Sequence, residues 1–153
     1  VRETLAATGL SADLLELEVT ESVMLEDSAA TLATLYALRA AGVRLALDDF
    51  GTGYSSMSYL KRMPLATLKV DRSFVGGLPQ DKENDSIVRA ILSMAKSLGL
   101  EVTAEGVETP DQARLLTDMG CDLLQGFDVS RPMPAADMVD WLAHSEGQRL
   151  RPS

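Results

Sequence analysis

Five short strand-like runs recur along this chain, and each ends in a polar residue before a turn and a helical stretch. The runs are Leu14–Val19, Val43–Leu47, Thr67–Val70, Glu101–Ala104 and Cys121–Gln125, and at their ends stand Glu18, Asp48 with Asp49, Lys69, Glu105 and Gln125. Apolar residues at helical spacing fill the intervals. Leu32, Leu35, Leu38 and Ala41 mark one helix, and Ile87, Ile91, Met94 and Leu98 a longer one; the last runs through Met138 and Trp141. Strands that alternate with helices require crossovers, which places the strands parallel to one another. One or two polar strand ends arise by chance. Five in succession predict the rim of an α/β fold of the (β/α) TIM-type barrel class, here a partial barrel of about five strand-helix units, in preference to an open doubly wound sheet.

Punctuation between the runs agrees with this reading. Val1–Leu10 reads as a helix end turning through Gly9 towards Ser11 and Asp13, and Gly42, Pro64 and Gly99 stop the helices that precede strands. Met57, Leu60 and Met63 predict a short helix before the third strand, and Thr109-Pro110 reads as a cap followed by proline at the first helical position. Gly76–Pro79 with the charged Gln80–Asp85 reads as a linker-like turn. Residues 1–145 form the domain, and the polar residues 146–153 read as a disordered tail.

The formal charge of −9 argues against a basic face for long nucleic acid. It does not argue against a phosphate ligand, because divalent cations can stand between carboxylates and an anionic substrate. The one cysteine, Cys121, excludes an internal disulfide and a cysteine-rich zinc site, and reads as a buried strand residue. His144 is the one histidine and lies in the polar C-terminal stretch, which disfavours histidine-based catalysis. No apolar run approaches the roughly 20 residues of a membrane span and no signal pattern opens the chain, so cytoplasm is the default location, with membrane anchoring of a longer parent left open.

Three polar features each admit two readings. The pair Asp48-Asp49, followed by Gly51 and Gly53, is either a metal-binding strand end under a glycine-punctuated loop or a solvated turn with one capping acid. Glu16 and Glu18 share a strand face that meets water in a half-exposed strand; in a closed barrel it lines the interior, where a glutamate is costly without a cation. Lys69 is either a solvated edge charge or a lysine held, charged, among acids.

With these strings in hand, Glu18-Val-Thr-Glu21-Ser22, Asp48-Asp-Phe-Gly-Thr-Gly-Tyr-Ser-Ser56, Leu68-Lys-Val-Asp-Arg-Ser-Phe74, Ala104-Glu-Gly-Val-Glu108, and Gln125-Gly-Phe with Ser130-Arg-Pro132, the chain resembles the EAL-type cyclic-di-GMP phosphodiesterases. The resemblance implies that Glu18, Asp48, Asp49 and Glu105 are metal acids holding Mg²⁺ or Mn²⁺, two ions in the complete site, with Asp48 bridging them. It implies that Lys69 holds the attacking water, that Glu21 steadies the loop after the acid pair, and that Gln125 lies beside water and substrate. Asp49, Arg131 and Glu108 are the remaining substrate-side residues it implies, and Glu105 and Gln125 join Lys69 in the catalytic set. Asp71 fits the family string and equally fits a structural turn acid. The implied reaction is hydrolysis of cyclic-di-GMP to the linear dinucleotide by two-metal-ion catalysis.

The Glu-Ala-Leu signature and the asparagine of the following strand are absent from these 153 residues, and a full barrel runs to roughly 250. The chain therefore reads as the C-terminal part of a longer phosphodiesterase, inactive and edge-exposed by itself. The implied partners are cyclic-di-GMP, the upstream remainder of the barrel, a sensory or GGDEF-like domain, and a second copy of the chain in a homodimer. The alternative function is a receptor module that binds cyclic-di-GMP without cutting it.

Overall fold

The computed structural model describes residues 1–21, 23, 28–51 and 60–149. Helix α1 (Arg2–Thr8) and a 3₁₀ turn at Ala12–Leu14 lead into β1 (Glu16–Thr20), followed by α2 (Ala29–Ala40), β2 (Arg44–Phe50) and β3 (Thr67–Val70). Then come the short helix α3 (Arg72–Val75), the long α4 (Lys82–Leu98), β4 (Glu101–Glu105), α5 (Pro110–Asp118), β5 (Leu123–Gln125) and α6 (Ala135–Arg149). No described helix is long and apolar enough to cross a membrane.

All five strands are parallel, and they lie side by side in chain order. A doubly wound sheet would reverse its order part-way, so this winding is that of a (β/α) barrel segment. Among the described residues β1 and β5 each pair on one side only.

Alternation along the strands divides the sheet into two unlike faces. Leu45, Leu47, Leu68, Val70, Val102 and Ala104 turn outward into the core, where they meet Leu35 of α2, Val88, Ile91 and Ala95 of α4, and Leu116 of α5. Residues of the opposite parity turn inward: Glu16 and Glu18 on β1, Arg44, Ala46 and Asp48 on β2, Thr67 and Lys69 on β3, and Glu101, Thr103 and Glu105 on β4. The apolar parity holds the layers together, since each fully buried aliphatic side chain contributes about 1.5–3 kcal/mol. The polar parity is left for chemistry.

Helix ends follow the capping chemistry of the sequence. Ser28 accepts from the Thr31 N–H at 3.0 Å to open α2, and Asp81 accepts from Glu83 and Asn84 to open α4. Lys82–Asp85, read above as part of a linker, are the first turn of α4, because the Asp81 cap starts the helix there. Thr109 and Gln112 form a capping box at α5, with Pro110 at its first position. The last helix runs on to Arg149, past His144. Helix α3 was not anticipated: Asp71 accepts from the Ser73 N–H at 3.0 Å and starts a single helical turn directly after β3. Asp71 thus has the structural role of a cap, and it also lines the pocket shared by Asp49, Glu105 and Gln125. Of the short helix expected from Met57, Leu60 and Met63, Leu60 is helical and residues 61–63 turn towards Pro64, while 52–59, with Met57 and most of the loop from Phe50 to Ser56, lie outside the described residues.

Candidate active site

Lys69 is the centre of the inner face at the carboxyl ends of the strands. Its Nζ lies 2.5 Å from Glu18 Oε1 on β1, 3.0 Å from Asp48 Oδ1 on β2 and 2.7 Å from Glu105 Oε1 on β4, and its side chain is only 6% exposed. Burial works against the ammonium charge, but the contacts with Glu105, Glu18 and Asp48 outweigh it and hold the pKa above the ordinary lysine value. Lys69 is therefore a fixed cation and hydrogen-bond donor. Of the two readings of this residue, the held lysine is the one the structure shows.

The second acid of the pair reaches the site through a break in the β2–β3 ladder. Leu47 pairs with Leu68 and Phe50 with Val70, so Asp48 and Asp49 together stand opposite the single residue Lys69. In an unbroken strand Asp49 would point away from Asp48, into the layer beneath the helices. The bulge and a left-handed backbone at Asp49, φ 54°, cancel that alternation; aspartate tolerates this region better than most residues. One carboxylate oxygen from each of Asp48, Asp49 and Glu105 then lies within 4.8 Å of the others. Gly51, φ 100°, completes the turn where any Cβ would come within 2.9 Å of the Phe74 ring.

These acids suit a divalent cation. Asp48 Oδ1 is buried with no hydrogen-bond partner among the described residues, having only its ionic contact to Lys69. Four carboxylates, Glu18, Asp48, Asp49 and Glu105, face one ammonium. All are hard oxygen donors, the set that Mg²⁺, Mn²⁺ and Ca²⁺ prefer.

The remaining expected residues fall around this centre. Gln125 ends β5 opposite Glu105, and with Asp49, Glu105, Glu108 and Phe127 it lines a pocket of about 370 Å³. Arg131 reaches the same wall indirectly, its guanidinium 4.8 Å from the Phe127 ring centroid. Glu21 is buried just beyond β1.

Reading the strands missed a whole layer below Lys69. Arg44 Nε meets Glu16 Oε2 at 3.1 Å, its Nη2 meets Thr67 Oγ1 at 3.2 Å and Glu101 Oε2, and Thr67 Oγ1 donates to Glu16 Oε2 at 2.7 Å. Parity with Asp48 would have found it, since Arg44 stands four residues before Asp48 on the same face. Phe127 was also missed as a wall of the pocket; nothing but its position after Gln125-Gly126 signals it.

The EAL domain profile matches residues 1–132. The chain belongs to the EAL domain family. As an EAL domain it is 49% identical over 142 residues to the cyclic di-GMP phosphodiesterase NbdA of Pseudomonas aeruginosa, an alignment covering 93% of this chain and 18% of NbdA. Its fold superposes on the PaMucR phosphodiesterase in complex with c-di-GMP with a TM-score of 0.85 at 48% identity, covering 90% of this chain and 56% of that one. The manganese and cyclic-di-GMP complex of Klebsiella pneumoniae BlrP1 gives a TM-score of 0.78 at 39% identity, over 85% and 33% of the respective chains. The EAL domain described here thus spans about a fifth of the length of the curated relatives it matches.

Proposed function

We propose that this chain supplies the metal-binding acids and the lysine of a cyclic-di-GMP phosphodiesterase, with residues 1–145 acting as the C-terminal part of its barrel. The observation that carries the reading is the enclosure of Lys69 by Glu18, Asp48 and Glu105, with Asp49 turned into the same group by the β2 bulge. Asp48, Asp49, Glu105 and Glu18 would hold two ions of Mg²⁺ or Mn²⁺. When bound, such ions supply Lewis acidity, sharing the charge of the phosphodiester and activating water. Lys69, permanently charged and pinned by its acids, orients the attacking water and steadies the negative charge that develops on it. The water oxygen bonds to phosphorus in line with the P–O3′ bond, that bond breaks, and the 3′-oxygen takes up a proton as the linear dinucleotide forms.

Gln125 offers both an amide donor and an acceptor beside Glu105. Arg131, stacked on Phe127, presents a planar fork of donors suited to phosphate or a guanine edge. Glu21 steadies the loop that follows the acid pair. Further strands pair at β1 and β5 in the working enzyme, in keeping with coverage of 56% of the PaMucR chain, and the 153 residues alone turn over slowly. A regulatory domain and a second copy of the chain are the partners this reading expects.

The test is hydrolysis of cyclic-di-GMP by the full-length protein with Mg²⁺ or Mn²⁺. Wild type should yield the linear dinucleotide, and Asp48→Asn should lose more than about a hundredfold of the rate, beyond what removal of an outer partner costs, with an unchanged circular dichroism spectrum. Tight binding of cyclic-di-GMP without turnover would replace the enzyme by a receptor.

A further inference from the structure

Gln112, in the first turn of α5, is 4% exposed, and both ends of its amide are engaged. Its Oε1 accepts from the backbone N–H of Glu108 at 2.8 Å and of Thr109 at 3.1 Å, which is the work of a helix cap. Its Nε2 does something a cap does not need. It donates to the carbonyl oxygens of Val75, 3.2 Å, and Gly76, 3.4 Å, at the end of α3. One buried side chain therefore fastens the loop after β4 to the segment after β3.

The two segments also meet at Gly106, φ 69°, where an added Cβ would strike the side chain of Arg72. On its other side the β4 loop is fastened to the β5 loop: the fully buried Val107 donates its N–H to the Gln125 carbonyl at 3.1 Å, and its own carbonyl accepts from the Asp128 N–H at 3.0 Å. Glu105 enters this assembly directly from β4, and Lys69 stands three residues before α3. The distance between Lys69 and Glu105 is thus held from behind as well as by the sheet.

We infer that Gln112 is a positioning residue for the acid and lysine cluster: through Val75 and Gly76 it sets the Glu105–Glu108 segment against the Lys69–Asp71 segment, touching neither metal nor substrate. The inference rests on the proposed function, in which these acids take divalent cations. Outer hydrogen-bond partners of that kind typically control metal affinity by 10–100-fold.

The experiment separates the clamp from the cap in the full-length protein. Gln112→Glu keeps an acceptor for the cap but loses the donor to Val75 and Gly76. Thr109→Ala removes the cap hydroxyl and leaves the clamp. Calorimetric titration with Mn²⁺ should show about a tenfold weaker affinity in Gln112→Glu, with faster amide exchange at Gly106–Glu108. The Mn²⁺ needed for half-maximal hydrolysis should rise by the same factor while kcat at saturating metal recovers. Thr109→Ala should lower Tm but keep wild-type Mn²⁺ affinity. If Gln112→Glu does not fold, Gln112→Met, of similar length, takes its place; it loses the cap acceptor together with the clamp donor, so unchanged Mn²⁺ affinity in it still overturns the inference.

Mn²⁺ affinity within about twofold of wild type in the position-112 variant, or equal weakening in Thr109→Ala, would overturn the inference. A wild type that binds Mn²⁺ but leaves cyclic-di-GMP intact would refute the phosphodiesterase reading while the calorimetric comparison still decides the role of Gln112. A wild type that binds no Mn²⁺ would overturn both.

Discussion

The inner face of the sheet carries two charged layers, one around Arg44 and one around Lys69, and they are built in opposite ways. In the lower layer Arg44 spreads its fork over Glu16, Thr67 and Glu101, with side chains 39% exposed at Arg44, 35% at Glu16 and 53% at Glu101. Glu101 and Glu16 hold the guanidinium above its ordinary pKa, so it stays charged, and the hydroxyl of Thr67 closes the network. The layer ties four consecutive strands in register. In the upper layer a single ammonium, far more buried, faces four carboxylates on β1, β2 and β4, two of them brought together by a bulge. A planar fork matched to its acids makes a structural joint; a point charge outnumbered by acids leaves a site that still wants cations.

Substitutions that remove each central base should separate the two layers, and the largest effect belongs to Lys69. Lys69→Met leaves the acids of the upper layer facing one another and should cost about 3 kcal/mol of stability in denaturant unfolding without divalent ions. Added Mn²⁺ should restore much of that stability but none of the hydrolysis. Because the lysine pKa is raised on folding, its contribution is complete below the ordinary value of 10.5 and disappears only as pH rises through the folded value. The wild-type to Lys69→Met difference should therefore be flat through neutrality and shrink in alkali. No loss of stability on removing Lys69 would mean that the acids do not need it.

Arg44→Met should cost less, about 1 kcal/mol, since its layer is partly exposed, and the cost should fall with added salt. Turnover per folded molecule should stay near wild type. A loss of kcat as large as that of Asp48→Asn would erase the distinction between a joint and a site.

The smallest effect is expected beside the upper layer, at Asp71. Burial opposes its charge, but its bonds to the Ser73 hydroxyl and N–H outweigh that and hold its pKa below the ordinary carboxylate value. A lowered pKa stabilises the fold above the unfolded value of 3.8, and that contribution is lost as pH falls through the folded one. Asp71→Asn keeps a capping side chain, so stability at neutral pH should change by only a few tenths of a kcal/mol while part of the acid-limb destabilisation disappears in a pH series of thermal melts. A collapse of activity in this variant would move Asp71 from helix cap to active site.

Most strand and helix positions were legible before any coordinates, because burial on one face imposes its period directly on the chain, but Leu14 falls in the 3₁₀ turn before β1 and Cys121, read as a buried strand residue, is half-buried ahead of β5. Thr67–Val70 is a strand at the residues expected, and Ser28, Gly99 and Thr109-Pro110 bound helices where capping chemistry says they should. The acids at strand ends were legible too, since a parallel sheet exposes its carboxyl ends and five such ends repeat. What the chain alone could not show was how neighbouring residues turn. Asp48 and Asp49 are adjacent, and nothing in their order reveals that one extra residue against β3 swings both carboxylates to one side; only the pairing with Leu68 and Val70 settles it. Arg44 and Glu101 look like ordinary charges at the starts of strands, and Gln112 like a polar residue on a helix. Their partners lie 57 and about 37 residues away, and such distances close only when the sheet is assembled and the loops above it are packed.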